Sequence, residues 1–320
     1  MPRVSAIICV YNQPLVKDAI ESVLAQTYPD YELIIIDDGS DDQTRKILSS
    51  FRDRARIFQQ ENQGIAQARN QGLSLAQGDL IAYLDADDLW LPEYLSRQKE
   101  FLDANPQFPL CFTDGWFIRQ ETIPDQIHSL KTYFSLYPVP AGEKSAENFF
   151  ETPIITSLMM FRRSFFAQAG FFSRELRINE DADLLLRGLE QGMEFGFLNQ
   201  PLGIKRQLSA GLSQNELELY LYARAINKMS WERSPRLKPY LRKGLPELNR
   251  TLARIYFEKG EIKNGRSSLR EALRFKPWAL RTFLLWLISF LPFPLSGPLL
   301  HRSLPVYKKW KSTGSEKAES

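Results

Sequence analysis

The amino-acid sequence predicts an α/β fold, in which a mainly parallel sheet is flanked by helices and a helical, basic region follows. Apolar, β-branched runs alternate with segments of helical periodicity up to residue 85, which is typical of βαβ units. Polar and acidic residues directly follow several of these runs, where sheets of this type bind ligands. After about residue 215 the strand-type runs stop and charged helical segments begin.

The N-terminal elements alternate in period along the chain. Strand-type runs are VSAIICV, YELIIID, RIFQQ and LIAYLD, and the helical stretches are LVKDAIESVLAQ, SDDQTRKILSSF and IAQARNQGLSLAQG. Ser40 and Gln43 have the spacing of a capping box at the start of the second helix, and Gly78 is the expected end of the third. Right-handed crossovers between such strands place helices on both faces of the sheet.

The pattern weakens over residues 105–153, where an irregular region with one strand at LCFTDGWFI is expected. This region is interrupted by Pro124, Pro138, Pro140 and Gly142. Strand character returns over residues 154–161. The stretch INEDADLLLRGLEQG then predicts a helix whose first turn is acidic, with Glu180, Asp181 and Asp183.

We expect two domains, residues 1–215 and residues 216–320. The second contains the helical segments YLYARAINKM, LNRTLARIYFEKG and EIKNGRSSLREALRFKP, of which the last two resemble one tetratricopeptide-like pair. Residues 231–320 hold 19 Lys and Arg against 7 Asp and Glu, a net charge of +12, so the first 230 residues carry −9. A basic region of this kind suits nucleic acid, an anionic membrane or plain solvation, and we expect no nucleic-acid partner.

An apolar segment, residues 282–300, carries no charged side chain. A spanning helix needs about 20 apolar residues, and this segment is interrupted by prolines and a glycine, so two interpretations remain open: an interfacial membrane segment, or a helix and loop buried internally. The interruptions are Pro292, Pro294, Gly297 and Pro298. The membrane surface is slightly favoured by the flanking cations Arg281, Arg302, Lys308, Lys309 and Lys311.

The bulk composition is that of a globular protein, with 43% hydrophobic residues. Cys9 and Cys111 lie in strand-type runs without metal-ligand spacing, which predicts reduced core thiols in a cytosolic protein. The apolar run at residues 4–10 is too short for a signal peptide. The expected location is therefore cytoplasmic, either free or peripheral at the inner face of the membrane.

The stretch LIAYLDADDLWLP places Asp85, Asp87 and Asp88 directly after a strand-type run. Because carboxylates this close raise one another's pKa unless a cation compensates, a metal ion is the first candidate partner. Asn12 and Asp38 also follow strand-type runs, so all these groups are expected at one edge of the sheet. The alternative, in which such residues only cap helices, is reasonable for Asp41 or Asp42 alone.

Five motifs carry a resemblance to a known family. VSAIICVYNQ, YELIIIDDGSDDQT, ENQGIAQARNQGL, GDLIAYLDADDLWLPEYL and NEDADLLLR, in this order, resemble the inverting family 2 glycosyltransferases with the GT-A fold. The resemblance covers about the first 215 residues. It implies a hexosyltransferase type of reaction with a nucleotide-diphospho-sugar donor, most readily a UDP-sugar, and a glycan or lipid-linked acceptor in surface polysaccharide synthesis.

The resemblance also implies roles for individual residues. Val10, Tyr11 and Asn12 line the nucleoside pocket, Asp38 accepts a hydrogen bond from the base, and Gly64 and Arg69 lie near the diphosphate. Asp85-Ala86-Asp87 is an Asp-x-Asp motif, in which Asp87 binds Mg²⁺ or Mn²⁺, Asp85 contacts the ribose or a metal, and Asp88 is the reserve ligand. Asp181 is the base that takes the acceptor's proton.

Other interpretations remain open for three of these residues. Tyr11 also fits an aromatic wedge at a strand end, Arg69 a solvated helix arginine, and Asp181 a residue that only complements the helix dipole. One departure stands out: many relatives have His in an R-x-H segment, and here Leu208 takes that place, which leaves Arg206 as a possible phosphate contact.

Two other function classes are weighed against the transferase. An aspartyl phosphatase using DADD is disfavoured because no partner Lys and Thr or Ser motifs are found. A non-catalytic sugar-nucleotide binding or scaffold protein is the alternative outside the enzymes, and it predicts donor binding without turnover.

Overall fold

The computed structural model describes residues 3–118, 127–136, 142–144, 154–207 and 215–290. The chain divides into two compact units, Met1–Gln214 and Asn215–Ser320. The first unit is an α/β unit and the second is helical.

One sheet organises the first unit, and the described residues contribute nine strands to it. These are β1 (Val4–Val10), β2 (Tyr31–Asp37), β3 (Arg56–Gln59), β4 (Leu80–Asp85), β5 (Leu89–Trp90), β6 (Leu110–Ile118), β7 (Gly142–Lys144), β8 (Met159–Arg162) and β9 (Phe195–Arg206). The order across the sheet is β3-β2-β1-β4-β8-β6-β9-β5, and β7 also pairs with β9.

Strands β3, β2, β1 and β4 are parallel, as the alternating pattern predicts. Their register places Val10 beside Asp37 and Cys9 beside Asp85. The chain segments that follow β1, β2 and β4 therefore leave the sheet at one edge, which confirms the expected gathering of polar residues there.

The other half of the sheet is mixed. β8 runs antiparallel to both β4 and β6, β9 is parallel to β6, and the short strands β5 and β7 are antiparallel to β9. A register shift around Asp114 interrupts the pairing of β6 with β9. Residues 119–126, 137–141 and 145–153, which include the predicted breakers Pro124, Pro138 and Pro140, lie outside the described residues.

The described helices of the first unit are α1 (Val16–Leu24), α2 (Asp42–Ser49), α3 (Ile65–Leu75), α4 (Tyr94–Ala104), α5 (Tyr133–Leu136), α6 (Arg163–Ala169) and α7 (Glu180–Glu190). Two expectations about helix ends were wrong. The N-cap of α2 is Asp41, whose carboxylate accepts from the Thr44 N–H at 2.8 Å, because Ser40 turns back toward β1. Helix α3 ends at Leu75, and Gly78 instead packs against the backbone of β1.

The core of the first unit lies around β1, β2 and β4, whose apolar side chains are buried almost completely. Burying side chains on both faces is what a continuous apolar run predicts for a central parallel strand. Cys9 and Cys111 are both buried free thiols, and burial raises the pKa of Cys9 to about 12. Both cysteines are therefore protonated core residues.

The second unit contains α8 (Glu216–Arg233), α9 (Lys238–Glu258), α10 (Ile262–Phe275) and α11 (Leu280–Ile288). Gly265 of α10 allows close packing on α9, since a Cβ there would lie 2.5 Å from the Phe257 ring. Among the described residues, no helix has the length and apolarity needed to cross a bilayer. Residues 291–320, which include the prolines of the predicted apolar segment, lie outside the described part.

Candidate functional site

The segment after β1 carries an exposed aromatic ring next to an Asn that hydrogen-bonds to the segment after β2. Tyr11 is 53% exposed, so its ring face is open for stacking. Asn12 has a φ of 47°, a left-handed conformation that Asn tolerates. Its Oδ1 accepts from the Asp41 N–H at 2.7 Å, and its own N–H donates to Ser40 Oγ at 3.2 Å. These bonds join the segments that follow β1 and β2.

Asp38, directly after β2, holds the segment that leads into α3. Its Oδ1 accepts from Gln60 Nε2 at 2.8 Å and from the Gln63 N–H at 2.9 Å, and its Oδ2 accepts from the Gly64 N–H at 2.9 Å. Val10 is buried next to it, and its carbonyl accepts from the Asp38 N–H at 2.9 Å. The predicted contact of Asp38 with a nucleobase stays a prediction.

Gly64 precedes α3 with a φ of 87°, a backbone conformation that a residue with a Cβ rarely adopts. A Cβ built there would meet no atom within 4 Å, so the space beside it is open. This openness is compatible with the predicted close approach of a ligand to the backbone at Gly64.

Asp85, Asp87 and Asp88 lie together at the end of β4, with ligand oxygens within 4.8 Å of one another. Asp85 Oδ1 accepts from Arg69 Nη2 at 2.8 Å and its Oδ2 from Lys205 Nζ at 3.1 Å. Burial opposes ionisation of Asp85, yet Lys205 and Arg69 together hold its pKa well below the usual range. Asp85 is therefore a carboxylate with a charge partner on each oxygen.

Asp87 and Asp88 differ although they are adjacent. Asp88 is fully buried and accepts from Ser157 Oγ at 2.5 Å, Lys205 Nζ at 3.0 Å and the Arg206 N–H at 3.0 Å. Burial raises the pKa of Asp88 to about 7, against the attraction of Lys205. By contrast, no other side chain of the described residues donates a hydrogen bond to Asp87, and burial and the charge of Asp85 raise its pKa.

Arg69, on α3, lies beneath these carboxylates and is only 4% exposed. One guanidinium nitrogen donates to Asp85 and the other to Glu180 of α7. Phe172 stacks on the guanidinium, with Cζ 5.4 Å from the ring centroid. The solvated-helix interpretation of Arg69 is therefore wrong, and the predicted contact with a diphosphate stays a prediction.

Asp181 lies in the first turn of α7, next to Glu180. Its Oδ2 accepts from Thr156 Oγ1 at 2.6 Å and its Oδ1 from the Ala182 N–H at 2.7 Å. The carboxylate is thus fixed in direction while remaining partly exposed. Asp183, two residues on, is buried and accepts from Arg187 Nε at 2.9 Å, so it stabilises the helix.

The acidic group fits a hard divalent cation. Its ligands are carboxylate oxygens, which Mg²⁺ and Mn²⁺ both prefer, and Asp85, Asp87 and Asp88 lie close enough to share an ion. Arg206 is buried and its Nη2 donates to Asp18 of α1 at 2.8 Å, while its charge opposes the rise in the pKa of Asp87. Leu208 lies outside the described residues.

Sequence reasoning missed Lys205 and Ser157 and gave Glu180 only a helix-dipole role. All three contact the predicted site residues across long stretches of chain, 120 residues for Lys205 and Asp85. The one local signal is that Lys205 directly precedes Arg206, in the segment where many relatives have R-x-H and this chain has Leu208.

The sequence matches the model of the family "Glycosyl transferase family 2" over residues 5–170. An uncharacterized glycosyltransferase of Rickettsia typhi is 32% identical over 194 residues, covering 59% of this chain and 59% of that protein. TuaG of Bacillus subtilis, whose name assigns it to teichuronic acid biosynthesis, is 42% identical over 106 residues, 32% of this chain and 42% of its own. The chain thus spans less than two thirds of these relatives.

Two solved structures share the fold. TarS of S. aureus, residues 1-349 in complex with UDP-GlcNAc, superposes with a TM-score of 0.65 at 15% identity, covering 95% of this chain and 90% of that chain. The mannosyltransferase PcManGT of Pyrobaculum calidifontis, in complex with GDP-Man and Mn²⁺, gives 0.59 at 18% identity, covering 94% and 86%. The sheet and its helices therefore have the GT-A fold.

Replacing Arg69 with Leu is expected to destabilise the first unit by about 3–5 kcal/mol, because Glu180 then lies buried without its cation and Asp85 keeps only Lys205. Chemical denaturation of both proteins measures this. Arg3→Met is the control, because the ion pair of Arg3 with Asp79 is largely exposed and worth less than about 1 kcal/mol. Equal losses in the two variants would contradict the buried bridge.

Proposed function

The chain belongs to glycosyl transferase family 2, and we propose that it moves a sugar from a nucleotide-diphospho-sugar donor to an acceptor hydroxyl. The observation that carries this proposal is the bridge through Arg69, which places the Asp-x-Asp residue Asp85 and the helix turn of Asp181 around one guanidinium. A donor site and a base must lie close together for such a transfer.

The donor fits the edge of the sheet formed by β1, β2 and β4. Tyr11 offers an exposed ring for the base, Val10 and Asn12 shape the pocket beside Asp38, and Gly64 leaves open space toward the diphosphate. We propose a UDP-sugar as donor. TarS is bound to UDP-GlcNAc and PcManGT to GDP-Man in their complexes, which supports a nucleotide-sugar as the donor.

We propose that Asp87 is the principal ligand of a Mg²⁺ or Mn²⁺ ion, with Asp85 and Asp88 beside it. Such an ion would, when bound, supply positive charge to the diphosphate leaving group. Asp87 suits this role because no other side chain of the described residues donates to it, whereas Asp85 and Asp88 are already paired with protein donors. PcManGT, which shares the fold, binds Mn²⁺.

We propose that Asp181 takes the proton of the acceptor hydroxyl as the bond to the anomeric carbon forms. An alcohol is a weak nucleophile near neutral pH, so a carboxylate in hydrogen-bond reach is required. Thr156 and the Ala182 N–H fix the direction of Asp181. A single displacement by the acceptor inverts the anomeric centre and leaves no covalent intermediate on the protein.

The acceptor we propose is a glycan or a lipid-linked glycan in surface polysaccharide synthesis, supported by the name of TuaG. An exposed apolar face around α11 suits a membrane-bound acceptor. It consists of Trp278, Leu280, Phe283, Leu284, Leu287 and Phe290. Lys276 and Arg281 lie in the same stretch, and we propose that this face binds an anionic bilayer surface.

The competing functions have less support. An aspartyl nucleophile at Asp85 is disfavoured because both of its oxygens are paired with cations. A scaffold protein without turnover does not require a carboxylate oriented as Asp181 is.

Asp181→Asn is expected to lower the transfer rate by about 10²–10⁴-fold while leaving donor binding unchanged, because the amide cannot accept the proton. Product formation from a panel of nucleotide-sugars and calorimetric donor binding measure the two effects. Asp42→Asn is the control, since Asp42 is an exposed first-turn carboxylate of α2. Undiminished transfer by Asp181→Asn would remove the assignment of the base.

Asp87→Ala is expected to abolish the part of donor affinity that depends on Mn²⁺, because the proposed principal metal ligand is lost. Calorimetric titration of UDP and GDP, with Mn²⁺ and with EDTA, measures this. The binding in EDTA is expected to match that of the original protein. Metal-dependent binding that survives in Asp87→Ala would transfer the ligand role to Asp85 or Asp88.

Replacing Phe283, Leu284 and Leu287 together with Ser is expected to abolish flotation of the protein with vesicles containing anionic lipid. Phe171→Ser is the control, since Phe171 is also exposed but belongs to the first unit. If the original protein does not float, or if the triple variant floats equally well, the membrane proposal fails.

A further inference from the structure

Lys205 reaches into the acidic group from the end of β9. Its Nζ lies 3.1 Å from Asp85 Oδ2 and 3.0 Å from Asp88 Oδ2, and its side chain is 21% exposed. The positive charge of the ammonium therefore neutralises part of the negative charge on two of the three carboxylates that a divalent cation would use.

The remaining oxygens of these two carboxylates are also engaged. Asp85 Oδ1 accepts from Arg69, and Asp88 Oδ1 accepts from the Arg206 N–H. Ser157 adds a second donor to Asp88 Oδ2. Within the described residues, Asp87 is left as the one member of the group without a donor from another side chain.

We propose that Lys205 is a resident cation of this site, which weakens metal binding by the carboxylates alone and makes it depend on the diphosphate of the bound nucleotide. The inference rests on the proposed function, since it assumes a nucleotide-diphospho donor. With Lys205 in place, only Asp87 offers a carboxylate that accepts from no other side chain of the described residues, and one such ligand is too few for tight metal binding. The diphosphate oxygens supply the missing ligands and charge.

A purely structural role for Lys205 makes a different prediction. If Lys205 only joins β9 to the turn after β4, it helps to hold the carboxylates in the position that a metal requires. Removing it would then lower metal affinity. A resident cation competes with the metal, so removing its charge raises metal affinity. The sign of the change therefore separates the two roles.

The test is calorimetric titration of Mn²⁺ into the full chain without nucleotide. Lys205→Gln keeps a hydrogen-bond donor and removes the charge, and we expect it to bind Mn²⁺ about tenfold more tightly than the original protein. Lys205→Arg keeps the charge and is expected to bind Mn²⁺ as weakly as the original protein. Lys99→Gln is the control, because Lys99 pairs with Asp103 on α4, outside the site.

Unchanged or lower Mn²⁺ affinity in Lys205→Gln would overturn the inference. A second measurement uses the unmutated protein, so that no folding defect of a variant can affect it. Saturating UDP or GDP is expected to tighten Mn²⁺ binding at least about tenfold. If the nucleotide does not change Mn²⁺ affinity, the inference is also overturned. If neither nucleotide binds with or without Mn²⁺, the proposed function fails instead, and that outcome is read from the nucleotide titration.

Discussion

The site depends on cations that offset the cost of burying several carboxylates at one edge of the sheet. Asp85, Asp88 and Glu180 are largely buried, and an isolated buried carboxylate costs several kcal/mol. Arg69 and Lys205 supply the compensation, each between two carboxylates. Because these two cations come from α3 and β9, the carboxylate geometry is fixed only when both elements have packed against β4. Folding and site assembly are thus one process in this unit.

The Arg69 bridge also holds the first turn of α7 in register with the end of β4. Asp85 ends a strand, whereas Asp181 begins a helix about a hundred residues later in the chain. Arg69 binds Asp85 and Glu180, the neighbour of Asp181, so movement of α7 relative to β4 would break an ion pair of a buried guanidinium. Burial raises the pKa of Glu180 to about 7, a sign that the bridge holds this carboxylate against a strong desolvation cost.

The sequence was sufficient for the parallel half of the sheet and for the edge that carries the site, because apolar runs fix strand register and strand ends fix where polar residues gather. It was not sufficient for Lys205, Ser157 and Glu180, whose partners lie far away in the chain and leave no local pattern. The N-cap of α2 shows the same limit on a small scale. Ser40 fits the capping-box spacing, but its hydroxyl accepts from the Asn12 N–H of another strand end, and Asp41 becomes the cap. Tertiary contacts overrode a correct local rule there.

Asp87 and Asp88 have identical side chains but different surroundings, because the backbone turn after β4 directs them differently. The Asp88 N–H donates to the Asp85 carbonyl at 3.0 Å, which closes a turn after β4. This turn directs Asp88 into the unit, onto Ser157, Lys205 and the backbone of β9, while Asp87 stays without such donors. Asp88 therefore acts on the site by holding β9 and its lysine in place. Asp87, by contrast, keeps a carboxylate to which no other side chain of the described residues donates.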